Sequence, residues 1–86
     1  MHDTILLNKI SDAVNQVCSM NNIKKVNKLA VVVNNNSHVN EENLYDHLQY
    51  ACANLIGEWT EIQVQRDDIL EQTAILHSIE GEKSEE

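Results

Sequence analysis

Cysteine is scarce in this chain. Cys18 and Cys52 are the only two, and neither belongs to a C-x-x-C pair. That is too few for a disulfide scaffold or a four-cysteine zinc site, so no zinc is expected from this chain. No run of about 20 apolar residues is present, which argues against a membrane-spanning helix. The start lacks an apolar run behind basic residues, so no signal peptide is expected. The cytoplasm is the expected compartment, with both thiols reduced. Proline and phenylalanine are absent altogether, and neither absence points to a function. Positive charge is also short: 6 basic residues face 14 acidic ones, for a net charge of −8. Such a chain repels phosphate backbones, so nucleic acid is not an expected partner. There is no glycine-rich phosphate loop and no nucleophile signature. Glu41-Glu42 and Asp67-Asp68 are neighbours in sequence and suit a helix start and a turn rather than a catalytic pair. The chain is therefore not expected to be an enzyme.

What is present reads as one small domain of 86 residues. A chain of this length buries only about 60–65% of its extended surface, so stability is modest unless something staples or pairs it. Leu6, Ile10, Ala13, Val14 and Val17 recur at helical spacing from Thr4 to about Met20, with Asp3 or Thr4 to cap the start and Asn21-Asn22 to end it. Leu29 to Val33 is a continuous β-branched run, suited to a strand with both faces at least partly covered. Asn34 to Ser37 is a turn cluster. Asn40 is a good N-cap for a second helix, and Glu41 and Glu42 sit beside its positive end. Its apolar stripe is Leu44, Leu48, Ala51, Cys52 and Leu55, and Gly57 is expected to end it.

Thr60 to Arg66 alternates, with Ile62 and Val64 on one face, and predicts a half-buried strand. Asp67-Asp68 reads as a short turn. Gln72 to Ile79 reads as the last strand, with Thr73, Ile75, His77 and Ile79 on one side and Ala74, Leu76 and Ser78 on the other. The last two strands are expected to pair as an antiparallel hairpin. The order helix, strand, helix, strand, strand predicts an α+β domain, with two helices on one face of a three-stranded mixed sheet. Residues 1–80 form the expected domain and 81–86 an acidic flexible tail. That tail is either a solvated end or a docking patch for a basic surface. An exposed edge strand in such a sheet invites dimerisation.

The first three residues carry the most specific chemistry. In Met1-His2-Asp3 a free α-amine, the His2 amide and the His2 imidazole can form fused chelate rings around one divalent metal. Three nitrogens in one plane suit Ni(II) or Cu(II). A bulky His2 disfavours removal of Met1. His38, in the turn before the second helix, completes such a site if that turn folds over the N-terminus; otherwise it is an exposed turn histidine. His47 reads as a partly buried helix-side residue and His77 as a surface or edge residue. Cys18 and Cys52 fall on apolar helix faces and read as small core residues. A reactive thiolate pair is the alternative, but no neighbouring cation is at hand to lower a thiol pKa. Trp59 either covers the sheet edge or serves as a docking anchor.

The element order and several local signatures resemble the HypA/HybF family of hydrogenase nickel-incorporation accessory proteins. That family begins Met-His-Glu and runs into an amphipathic helix; here Met1-His2-Asp3 precedes Ile5 to Met20. Lys24-Lys25-Val26 stands before Leu29 to Val33 as the family's basic-flanked strand does. Of the family's Gly-Glu-Leu-Ser-Gly-Val-like turn, Ser37 and Val39 remain. Glu41-Glu42-Asn43-Leu44 is similar to the acidic opening of its second helix. Glu61-Ile62-Gln63-Val64 and Ala74-Ile75-Leu76-His77-Ser78-Ile79-Glu80 are similar to its later strands. Typical members insert a zinc module with two C-x-x-C pairs before the last strand, where this chain has only Asp67-Asp68. The resemblance thus implies a nickel-binding domain without its zinc module. His2 would be the principal nickel ligand, with the Met1 amine, nearby backbone nitrogens and Asp3 in place of the family's Glu. The partner would be a maturation GTPase or a metalloenzyme precursor. The alternative is a metal-independent interaction or dimerisation module, a relative that has lost metal delivery.

Overall fold

The computed structural model describes residues 4–84. α1 spans Thr4–Met20, and buries Leu6, Ile10, Val14 and Cys18 along one stripe. Ser11 is also buried, with its hydroxyl turned back to the Asn8 carbonyl at 2.9 Å. Asn21 ends the helix as its sequence predicts: both its backbone N–H and its side-chain amide donate to the Val17 carbonyl. Asn22 then takes a left-handed conformation with φ 58°, which asparagine tolerates better than most residues, and the chain reverses.

β1 is the long strand Ile23–Asn34. It begins well before the apolar run that announced it, because Ile23, Lys25, Val26 and Lys28 pair with Lys83, Glu82, Gly81 and Glu80 near the far end of the chain. Leu29, Val31 and Val33 are fully buried against the helices, and Ala30 on the opposite face is buried too. α2, Glu41–Ala51, opens on a capping box in which the Asn40 side chain accepts the Asn43 N–H and the Asn43 side chain accepts the Asn40 N–H. It ends at Ala51, not at Gly57. The apolar stripe continues past Ala51 for another reason. Leu55 gives its carbonyl to the Val26 N–H at 2.8 Å, and Ile56 is buried beside it, so this segment closes the free edge of β1.

β2 is Glu61–Asp67 and β3 is Ala74–Lys83. The sheet order is β2-β1-β3, with β1 parallel to β2 and antiparallel to β3. The expected hairpin between the last two strands does not form. β1 is apolar on both faces and takes the shielded centre; the alternating strands take the edges, where one wet face costs nothing. The segment from Asp68 to Thr73 therefore crosses the end of β1 to reach the other edge, rather than making a tight turn. The two helices share one face of this mixed sheet, and a single core joins Leu6, Ile10, Val14, Leu44 and Leu48 to β1. The α+β architecture and the element order are those the sequence predicts.

Two details of β3 differ from the alternation read in the sequence. A register shift opposite Ala30 and Val31 makes a bulge at His77 and Ser78, so Ala74, Leu76 and Ile79 pack towards the core while Ile75 and His77 are exposed. The expected flexible tail also starts too early. Gly81, Glu82 and Lys83 belong to β3, and Ser84 donates its N–H to the Asn22 carbonyl at 2.6 Å. No described helix is long and apolar enough to cross a membrane.

Candidate functional site

Both helices begin, and the two parallel strands end, on the same side of the molecule. Asn34 closes β1 there and ties three segments together. Its side-chain amide donates to the Ile69 carbonyl in the crossover, and its side-chain oxygen accepts the Asn36 N–H at 2.7 Å. Its own carbonyl accepts the Ser37 N–H at 2.9 Å. Asn34 is only 8% exposed, so each of these bonds satisfies a group cut off from water.

The next residues are held more tightly than a surface turn requires. Arg66, the chain's single arginine, donates one guanidinium nitrogen to the Ser37 carbonyl at 2.8 Å and another to the Val39 carbonyl at 2.5 Å. The Asn43 side chain donates to the His38 carbonyl at 2.9 Å. Three consecutive carbonyls are thus fixed around His38, and Val39 anchors the turn in the core with no exposed surface. The arrangement also gives a charged donor two acceptors in a planar fork, which lysine could not match.

His38 lines a cleft of about 170 Å³ with Leu6, Asn34, Asn36, Ser37, Glu71 and Gln72. Leu6 is the third residue of α1, in its first turn, so the chain enters its helix at the rim of this cleft. Gln72 adopts a left-handed φ of 61°, and its carbonyl lies 3.5 Å from the Lys9 ammonium on α1. Charge on this side is mostly negative: Glu41 and Glu42 open α2, Asp67 ends β2, and Asp68 and Glu71 lie in the crossover. Glu41 accepts the Val64 N–H at 3.0 Å, and this bond, foremost, holds its carboxyl below the usual glutamate range.

Met1, His2 and Asp3, the predicted chelating residues, lie outside the described residues. Among the described residues no cluster of three or more His, Cys, Asp or Glu side chains is assembled for a metal. The other histidines are not gathered at the cleft. His47 stands half-buried on α2, with a buried Nε2 that has no hydrogen-bond partner. His77 is exposed at the β3 bulge. Cys18 and Cys52 are buried and unbridged, as core residues should be. Burial pushes both thiols up, and the Cys52 Sγ faces the Ser11 carbonyl at 3.8 Å. They line a groove at the other end of the helices, not the cleft. Trp59 covers the edge of β1: its ring lies against Gly57 and beneath the Lys25 ammonium, 4.5 Å from the ring centroid.

Asn34, Asn43, Arg66 and Glu71 were not singled out by the sequence. A lone arginine in an acidic chain was the one available signal for Arg66. Comparison with known family models gives no match, and comparison with curated proteins gives none.

Proposed function

We propose that this chain is a nickel carrier that takes up Ni(II) through Met1, His2 and Asp3 and holds it over the His38 cleft. One observation supports this above all: the turn bearing His38 is locked in place beside the first turn of α1. His2 stands two residues before Thr4, a reach of about 7 Å in extended chain. The α-amine and His2 imidazole supply nitrogen donors suited to square-planar Ni(II), and His38 supplies a further imidazole. Glu71 in the cleft wall adds a carboxylate within the same hollow.

The resemblance to hydrogenase nickel-incorporation proteins, carried by the terminus and the element order, supports the same reading. The start of α1 opposes it, because a cation beside a helix N-terminus loses about 0.3–1 kcal/mol. The carboxylates gathered on this side offset that loss. Backbone amides bind metal only when deprotonated, and imidazole only when neutral, so uptake falls as pH drops. A terminal site is open on one side and suits release of the ion to a maturation partner or an enzyme precursor.

Isothermal titration of the untagged chain with Ni(II), beside His2→Ala and His38→Ala, tests the reading. Uptake by the native chain, abolished by His2→Ala and weakened by His38→Ala, is the expected result. Equal heats for the native chain and His2→Ala overturn it.

A further inference from the structure

The two edges of the sheet are finished differently. Along β2 the outward Val64 N–H is taken by the Glu41 carboxylate, and Arg66 straps the same edge to the 37–39 turn. A charged group bonded into an edge is a common means of blocking strand addition. β3 forms the opposite edge over Ala74–Lys83 and pairs with β1 alone. Among the described residues no side chain is bonded to its backbone. Leu76 and Ile79 face the core side yet stay half-buried, whereas Leu29 and Val31 beside them on β1 are fully covered.

We propose that a second copy of this chain completes the β3 edge. The two β3 strands pair antiparallel about a two-fold axis at Ile79, with the bulge at His77 and Ser78 counting as one position, and join two three-stranded sheets into one. A two-fold contact must be self-complementary, and this register is. Ile79 meets Ile79 of the copy, Leu76 meets Gly81, large against small, and the bulge at His77 and Ser78 meets Glu80, imidazole against carboxylate. The two off-axis pairings each occur twice. Moving the axis onto Glu80 would instead set that carboxylate against its own copy, and like charges directly opposed are destabilising. The net charge of −8 on each copy resists association. At physiological ionic strength that repulsion is screened beyond about 8 Å, while directly opposed pairs keep most of their effect. Antiparallel pairing sends the two His38 clefts to opposite ends of the joint sheet, so both stay open. The proposal does not depend on nickel.

Position 77 provides the test, because His77 is exposed and its replacement leaves the core untouched. Sedimentation velocity of the untagged chain over a concentration series at pH 7 reads the association directly, with circular dichroism to verify folding. The wild type is expected to dimerise. His77→Glu, which opposes two carboxylates twice, is expected to weaken dimerisation by about tenfold or more. His77→Lys, which sets an ammonium opposite Glu80, is expected to leave it at least as strong. A chain that stays monomeric up to about 1 mM overturns the proposal. So does a dimer that both substitutions leave unchanged or weaken alike.

Discussion

The carboxylate of Glu41 accepts the backbone N–H of Val64 at 3.0 Å, so the first turn of α2 is fastened to the outer edge of β2. One residue thereby serves a helix start and a strand edge together. Asn40 sets the position, since its capping box fixes where α2 begins and hence where Glu41 points.

The Glu41 bond makes stability depend on acid. Its carboxyl titrates below the usual glutamate range, chiefly because it accepts the Val64 N–H. A depressed folded-state pKa contributes stability that is present above the unfolded value of about 4.3 and is lost as pH falls through the folded value. Glu41→Gln keeps an acceptor but removes the charge. It is expected to cost a few tenths of a kcal/mol at pH 7, as for an exposed charge at a helix start, and nothing near pH 2. Urea denaturation at both pH values measures this; an equal deficit at both excludes the charge as its source.

Arg66 should matter more than its exposure suggests. Arg66→Gln loses two charge-assisted bonds to the Ser37 and Val39 carbonyls and is expected to destabilise the fold by about 2 kcal/mol. Arg66→Lys recovers the charge but only one arm of the fork, and should fall between. Identical midpoints for the two variants would show that planar geometry, not charge, is what the turn requires.

The two glycines should respond unequally to alanine. A Cβ on Gly81 would overlap the backbone carbonyl of Lys25, which the β1–β3 ladder holds in place. Gly81→Ala is expected to cost about 1–3 kcal/mol. A Cβ on Gly57 would overlap the Trp59 ring instead, and that side chain is 45% exposed and can shift outward at the cost of its long 3.4 Å bond to the Leu55 carbonyl. Gly57→Ala should be the milder change in thermal melts, and the reverse order would contradict the packing described here.

The thiols should behave as core groups. Burial raises both and no cation offsets it, so Cys18 and Cys52 are expected to resist alkylation at pH 7 until the fold opens. Labelling followed by mass spectrometry, with and without urea, checks this. Rapid modification of the folded chain would assign them a reactive role after all.

Local chemistry made much of this fold legible. The four-residue recurrence of Leu6, Ile10, Val14 and Cys18, and the Asn21-Asn22 stop, mark α1 from end to end. Asn40 marks the start of α2 through one capping interaction. Its end was obscured because Leu55 and Ile56 continue the apolar pattern while packing on β1 instead. The sheet order is hidden for a similar reason: nearness in sequence favours a hairpin, whereas burial of both faces of β1 demands the centre. The cleft was legible only at His38. Asn34 and Arg66 act through side-chain bonds to distant backbone, and such bonds leave no period or spacing in a sequence.

The crossover between β2 and β3 has a consequence for biosynthesis. The central strand emerges from the ribosome early, but both of its neighbours come from residues 61–83. Until these are made, a sticky β-branched ribbon must wait with only two helices for shelter. Pairing across so many intervening residues is slow and leaves apolar surface exposed in the meantime. The nascent chain should therefore be a better client for holdase chaperones than the mature protein.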